Sequence, residues 1–160
     1  MPLAVGDAAP DLTLPASTLE RVALGDLYRR GTTVLLFFPL AFTSTCTEEL
    51  CTMRDELPVY DGLNATIVGV SVDSPYVLAR YRDEIGATYA FLSDFNREAA
   101  EAFGVMRDGT VGPGLLGASD RAAFVIDRDG RIRYVWHSTN TSVLPPFDEI
   151  RAAAEHAAGP

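Results

Sequence analysis

The chain has 160 residues, 48% of them hydrophobic and 22% charged, a length and composition that fit one folded domain spanning residues 1–160. Its 13 basic and 22 acidic residues give a net charge of -9, which argues against nucleic acid or an anionic membrane as a partner. All 13 basic residues are arginines, so lysine Schiff-base chemistry and the phosphate-loop lysine are excluded.

The longest apolar run, Val34 to Phe42, is about half of the roughly 20 residues that span a membrane as a helix. The N-terminal sequence has no basic segment ahead of a hydrophobic stretch, so we expect no secretory signal. The chain has only two cysteines, which differs from the disulfide framework of small secreted domains. We therefore expect a cytoplasmic protein whose two cysteines take part in a chemical reaction.

The predicted elements begin with an irregular arm over the first thirty residues, because prolines and glycines interrupt its short extended pieces. Thr32 to Phe38 is rich in β-branched and aromatic residues, which predicts a central strand buried on both faces. From Cys46, apolar residues recur at intervals of four and three, the pattern of a helix. Thr45 and Glu48 form a capping-box pattern that predicts the helix start, and Pro58 predicts its end or a kink.

The rest of the chain alternates between strand and helix patterns. Thr66 to Val72 predicts a second buried strand, and Ser74 followed by Pro75 predicts a helix that ends at Gly86. Further predicted elements are a strand at Tyr89–Leu92, a helix at Asn96–Phe103, a plain loop at Gly109–Ser119, a hairpin of Ala122–Ile126 and Arg131–His137, and a helix at Pro146–Ala157. This order predicts an α/β three-layer sandwich with a mixed central sheet flanked by helices.

Cys46 lies where the predicted central strand passes into the first long helix. In a first helical turn, the backbone N–H groups lack helical acceptors and the helix dipole is positive, which favours a thiolate over a thiol. A thiolate is a competent nucleophile. The alternative is that Cys46, which also falls on the apolar face of the helix, is a buried structural cysteine.

Pro39, Thr43 and Cys46 match the Pro-x-x-x-Thr-x-x-Cys signature, and on this basis the chain resembles the peroxiredoxins, thiol peroxidases with the thioredoxin fold. The resemblance extends from Ala9–Leu14 to Arg121–Asp127, which is most of the chain. It implies a thioredoxin-like fold and a thiol peroxidase. The chemistry of a thiolate and a peroxide requires no metal or organic cofactor. His137 and His156 do not form a zinc spacing with the cysteines.

The resemblance also implies a role for each matched residue. Cys46 resembles the peroxidatic cysteine, Thr43 the hydroxyl that contacts peroxide, and Pro39 the ring that shields the site. Arg121 resembles a distant cation that holds the thiolate and polarises the peroxide oxygens; its alternative is an exposed strand arginine. Glu49 either orients that arginine or faces solvent, and Thr43 has a competing role as a helix cap.

Cys51 follows Cys46 by five positions. On an ideal helix the two Cα atoms are about 8 to 9 Å apart, whereas a disulfide tolerates less than about 7 Å. A bridge between them would therefore require the first helical turn to unwind. The spacing resembles Q-type peroxiredoxins, also called bacterioferritin comigratory proteins, in which the second cysteine resolves the sulfenic acid. Phe37–Thr43 instead resembles the E-type subfamily, whose members commonly have one catalytic cysteine.

The resemblance implies hydrogen peroxide and organic hydroperoxides as substrates and a thioredoxin-like or other redoxin as reductant. A homodimer is also expected on this basis. We favour Cys51 as the resolving cysteine, and the alternative is that an external thiol or redoxin attacks oxidised Cys46. A further alternative is a thiol–disulfide redox adaptor without peroxidase activity, although such proteins use a Cys-x-x-Cys motif that this sequence lacks.

Overall fold

A computed structural model describes residues 1–159 of the chain, in which six α-helices and seven β-strands are present. The strands are β1 (Thr13–Pro15), β2 (Arg21–Ala23), β3 (Thr32–Phe37), β4 (Ala65–Ser71), β5 (Ala90–Ser93), β6 (Arg121–Ile126) and β7 (Ile132–Ser138). The helices are α1 (Leu24–Arg30), α2 (Ser44–Asp55), α3 (Leu57–Gly62), α4 (Pro75–Ile85), α5 (Glu98–Phe103) and α6 (Phe147–Ala158).

Five strands form one mixed sheet in the order β5-β4-β3-β6-β7. The central strand β3 is parallel to β4 and antiparallel to β6, and all six of its residues are buried. Strands β5 and β7 complete the sheet, parallel to β4 and antiparallel to β6 respectively. The carboxyl ends of β3, β4, β5 and β7 therefore lie at the same edge of the sheet as the first residue of β6.

Helices cover both faces of this sheet, which confirms the predicted three-layer sandwich. The core on one face contains buried residues of α2, α4 and α6 together with alternate residues of β3, among them Val34 and Leu36. The core on the other face contains buried residues of α1 and α5 together with Leu35 and Phe37. Because side chains alternate along a strand, one buried strand contributes to both cores.

The prediction of an irregular arm was wrong for α1, which follows β2 without a break. The sequence pattern marks Gly25 as an interruption, but Gly25 lies inside the helix. A Cβ at Gly25 would lie 2.5 Å from a carboxylate oxygen of Asp11, whose Oδ1 accepts the Gly25 N–H at 2.8 Å. The glycine therefore permits a close approach of Asp11, which anchors the arm to the helix start.

The ends of α2 differ partly from the prediction. The helix begins at Ser44 with Thr43 as its N-cap residue, and no side chain caps it, so the predicted capping box of Thr45 and Glu48 is wrong. The break predicted from Pro58 is confirmed, because α2 ends at Asp55 and Pro58 lies in the first turn of α3. Cys46 is consequently the third residue of α2.

Candidate active site

Cys46 lies in the first turn of α2 with its side chain fully buried. The first helical hydrogen bond runs from the Thr47 N–H to the Thr43 carbonyl at 2.9 Å, so the three N–H groups before it have no helical acceptor. These N–H groups and the helix dipole place positive potential around the sulfur. An arginine also contacts the sulfur. These surroundings favour a charged thiolate and therefore argue against Cys46 as a purely structural cysteine.

Arg121, the first residue of β6, is that arginine. Strand alternation places it on the face of the sheet that α2 covers, and its side chain is only 1% exposed. Its Nη2 donates to the Sγ of Cys46 at 3.2 Å, and its Nη1 donates to Oε1 of Glu49 at 2.8 Å. The Nε and Nη2 groups also donate to the Thr141 carbonyl, at 3.2 and 2.6 Å. The alternative of an exposed strand arginine is therefore wrong.

Glu49 lies one turn after Cys46 and is also fully buried, so the alternative of a solvent-facing residue is wrong. Its Oε1 accepts from Arg121, whereas its buried Oε2 has no partner among residues 1–159. Burial raises the pKa of Glu49 to about 7, although the charge and hydrogen bond of Arg121 partly oppose that rise. Near neutral pH, Glu49 thus exchanges between a neutral carboxyl and an anion.

Arg121 remains a cation in this setting. Burial lowers the pKa of its guanidinium, but the attraction of Cys46 and then Glu49 outweighs burial and raises the pKa above its ordinary value. One buried cation therefore faces two acidic groups, the Cys46 sulfur and the Glu49 carboxyl. Arg121 can stabilise a negative charge on either the Cys46 sulfur or the Glu49 carboxyl. When one of these two groups is charged, Arg121 attracts a charge on the other less strongly.

The loop between β3 and α2 carries Pro39 and Thr43. The Thr43 hydroxyl donates to the Leu40 carbonyl at 2.8 Å and does not accept a hydrogen bond from the helix N–H groups, so the expectation of a side-chain cap is wrong. The Ala41 N–H donates to Oδ2 of Asp73 at 2.8 Å, and Ser71 Oγ donates to the same oxygen at 2.6 Å. Asp73 therefore fixes the loop against the carboxyl end of β4.

An open cavity of about 150 Å³ adjoins the start of α2, and Cys46 is one of its lining residues although its side chain is buried. Four of the six predicted site residues line it: Pro39, Thr43, Cys46 and Arg121. The remaining lining residues are Ser44, Thr45, Val111, Thr141 and Ser142. Val111 belongs to the loop that the sequence predicts as a plain connection, and Glu49 and Cys51 do not line the cavity.

Cys51 is on the same helix as Cys46, and both cysteines are free thiols. Its side chain is half-buried and packs against the core on the α2 face. With both residues inside a regular helix, the estimated Cα separation of about 8 to 9 Å exceeds the span of a disulfide. The structure therefore holds the two cysteines apart in their reduced form.

Sequence reasoning missed two groups that hold the site. Thr141 acts through its main-chain carbonyl, which any residue carries, so its side chain gives no signal. Asp73 follows a buried strand at its carboxyl end, a position that could have marked it as a loop anchor.

Among residues 1–159, no three His, Cys, Asp or Glu side chains are grouped as a metal site would require. Each helix in the same range is too short or too polar to cross a lipid bilayer.

Comparisons with known proteins identify the family of this chain and several similar proteins. Residues 5–135 match the model of the AhpC/TSA family. Peroxiredoxin Bcp of Escherichia coli is 33% identical over 142 residues, covering 88% of this chain and 90% of that protein. Alkyl hydroperoxide reductase E of Mycobacterium bovis is 34% identical over 134 residues, which cover 82% of this chain and 84% of that protein. The crystal structure of peroxidoxin BcpB from Mycobacterium tuberculosis superposes with a TM-score of 0.82 at 31% identity. The superposition covers 95% of this chain and 96% of that chain.

The raised pKa of Glu49 predicts a pH dependence of stability that Glu49→Gln should remove. Between about pH 4.5 and 7 the folded chain keeps a proton on Glu49 that the unfolded chain has released, so the free energy of unfolding falls as pH rises. The variant lacks this group. The free energy of unfolding of Glu49→Gln, relative to that of the unsubstituted protein, should therefore rise by up to about 3 kcal/mol as the pH increases across that interval. Urea unfolding of both proteins at several pH values measures this difference, and parallel pH profiles would contradict the assignment.

The contact of Asp73 with the Ala41 N–H predicts that Asp73→Ala loosens the loop that carries Pro39 and Thr43. Leaving a partly buried N–H without an acceptor should cost about 1–3 kcal/mol of stability. Oxidation of Cys46 by peroxide should also slow, as measured by competition between peroxide and an alkylating reagent. Asp73→Asn retains an accepting oxygen and serves as the control. Equal oxidation rates in both variants and the unsubstituted protein would show that the loop does not depend on this bond.

Proposed function

Because the chain belongs to the AhpC/TSA family, we propose that it reduces hydrogen peroxide and organic hydroperoxides with Cys46 as its peroxidatic cysteine. Family membership confirms the peroxiredoxin resemblance predicted from Pro39, Thr43 and Cys46, and with it the class of peroxidase. One observation carries the assignment of the nucleophile. The sulfur of Cys46 lies in the first turn of a helix, 3.2 Å from a buried guanidinium, and Cys46 lines an open cavity.

In the first step, the Cys46 thiolate attacks one peroxide oxygen in line with the O–O bond. A sulfur–oxygen bond forms as the O–O bond breaks, the leaving oxygen takes up a proton, and the products are the Cys46 sulfenic acid and an alcohol or water. Arg121 stabilises the charge on sulfur and on the leaving oxygen. The Thr43 hydroxyl is at the cavity wall, where its oxygen can accept a hydrogen bond from the bound peroxide while its own hydrogen is donated to the Leu40 carbonyl, and Pro39 limits access of water.

In the second step, the Cys51 thiol attacks the Cys46 sulfenic acid, so that an intrachain disulfide forms and water leaves. A thioredoxin-like reductant then returns both sulfurs to thiols. The helical separation of the two cysteines means that residues 46–51 must unwind before this bond can form. Glu49 orients Arg121 during the first step and loses that contact when the segment unwinds.

The same separation favours a second candidate, in which Cys51 is not used and an external thiol or redoxin attacks oxidised Cys46 directly. Cys51→Ser distinguishes the two. With peroxide alone, the unsubstituted protein should lose two hydrogens and join the two cysteine peptides, as measured by mass spectrometry. The variant should instead gain oxygen on Cys46. Turnover with thioredoxin should fall at least tenfold in the variant; undiminished turnover would support the one-cysteine mechanism.

Cys46→Ser is the control for the peroxidase itself, and it addresses the alternative of a redox adaptor. This variant should show no fast peroxide-dependent change in the fluorescence of Trp136, the one tryptophan of the chain. A fast phase that persists without Cys46 would remove the basis of the proposed activity.

We propose that the chain acts as one domain in the cytoplasm, as a homodimer that associates through the edge around Cys46. Large exposed apolar residues gather where the strands end at this edge: Phe42, Tyr76, Phe95, Leu115, Leu116 and Val143. Exposed apolar residues in segments that adjoin one edge of a sheet favour an association surface there. The family resemblance makes a second copy of this chain the expected partner.

Sedimentation velocity tests the homodimer with two matched substitutions. Leu116→Asp places a charge at the apolar edge and should convert a dimer into a monomer. Val59→Asp introduces the same charge on α3, beside the opposite edge of the sheet, and should leave the dimer intact. A monomer in the unsubstituted protein would refute the proposed association.

A further inference from the structure

Two tyrosines outside the cavity contact α2 through their hydroxyl groups. Tyr89 lies just before β5, is 5% exposed, and donates to the main-chain carbonyl of Leu50 at 2.6 Å. Tyr81, on α4, has its hydroxyl 2.9 Å from Oγ1 of Thr47. We call these two contacts the tyrosine tether. Neither tyrosine lines the peroxide cavity, so the tether is separate from the groups that contact substrate.

Both contacts fall on the segment between Cys46 and Cys51. The Leu50 carbonyl has its regular helical donor in the N–H of Arg54, so Tyr89 supplies an additional bond to a backbone that is already paired. If residues 46–51 unwind, this carbonyl leaves its place in the helix. The Tyr89 hydroxyl then remains buried without its acceptor, a state that costs more than an ordinary hydrogen bond contributes.

The Tyr89 hydroxyl is a donor throughout the physiological pH range. Burial raises its pKa far above the usual range, and the nearby acidic group of Glu49 raises it further. Its bond to Leu50 therefore differs from the contact of Arg121 with Glu49, whose carboxyl titrates near neutral pH. The hold of Tyr89 on α2 does not change with the protonation of the active site.

We propose that Tyr89, assisted by Tyr81, is a positioning residue that keeps α2 helical and thereby sets how fast the Cys46 sulfenic acid reaches Cys51. The inference rests on the proposed resolving role of Cys51. A sulfenic acid that stays in the helical site meets a second peroxide, which transfers an oxygen to sulfur and leaves as alcohol or water, giving a sulfinic acid. The tyrosine tether therefore shifts the balance between disulfide formation and this irreversible oxidation.

Tyr89→Phe removes the hydroxyl and keeps the ring in the core. The rate of disulfide formation after a peroxide pulse should rise roughly three- to tenfold, because the unwound state no longer contains an unpaired buried hydroxyl. The peroxide concentration that converts half of Cys46 to sulfinic acid should rise in proportion. Acid quenching, thiol alkylation and mass spectrometry measure both quantities. The first oxidation of Cys46 should keep its rate, since Tyr89 does not touch the cavity.

Tyr60→Phe is the matched control. Tyr60 is fully buried in the same core, and its hydroxyl has no hydrogen-bond partner among the described residues. The substitution is chemically identical but removes no hydrogen bond to α2. It should leave disulfide formation and sulfinic acid formation unchanged. Tyr81→Phe is a second test variant, which loses the bond to Thr47 and should change both quantities in the same direction as Tyr89→Phe.

Hydrogen exchange of the reduced protein separates this inference from the proposed role of Cys51. Tyr89→Phe should accelerate exchange of the amides in residues 47–51 by a similar factor, whereas Tyr60→Phe should not. Faster exchange with no disulfide in any variant would support the hold on α2 and overturn the resolving role of Cys51. Exchange and disulfide rates that match those of Tyr60→Phe, in both test variants, would overturn the tyrosine tether.

Discussion

The contact between the Arg121 guanidinium and the Cys46 sulfur organises the carboxyl edge of the sheet. A buried cation is costly unless its donors are paired, and here sulfur, the Glu49 carboxyl and the Thr141 carbonyl share them. These partners come from α2 and from the loop after β7. The contact therefore fixes the orientation of the helix, the strand and the loop relative to one another, and it brings a positive charge to the base of the cavity.

Helix α2 meets two requirements that oppose each other. Its first turn must be ordered for the sulfur to lie beside Arg121, yet the proposed disulfide requires the segment from Cys46 to Cys51 to unwind. Contacts from β6 hold Cys46 and Glu49, while the tyrosine tether holds Thr47 and the Leu50 carbonyl. The sum of these contacts sets the free energy of unwinding, so in the proposed mechanism residues remote from substrate influence the fate of the sulfenic acid.

Local sequence patterns gave good predictions where the residues of an element show a clear apolar pattern and are bounded by turn residues. The strands β3 and β4, the helix α4 and the hairpin of β6 and β7 follow from apolar periodicity and clear turn signals. Helix α1 was missed because Gly25 resembles a break in sequence, whereas its small size accommodates Asp11, a residue 14 positions away. The start of α2 was misplaced because a capping box specifies a pattern of residues, not the bonds that they form.

The sequence by itself determined the proposed nucleophile and its local setting, since Pro39, Thr43 and Cys46 are close along the chain and the N–H groups of any first helical turn carry positive potential. Tertiary structure decided the partners of that nucleophile. Arg121 lies 75 positions from Cys46, and Tyr89 lies 39 positions from Leu50. Because charge attraction and hydrogen bonding depend on distances of a few ångströms, only the packing of β6, α2 and β5 could show which of these groups meet.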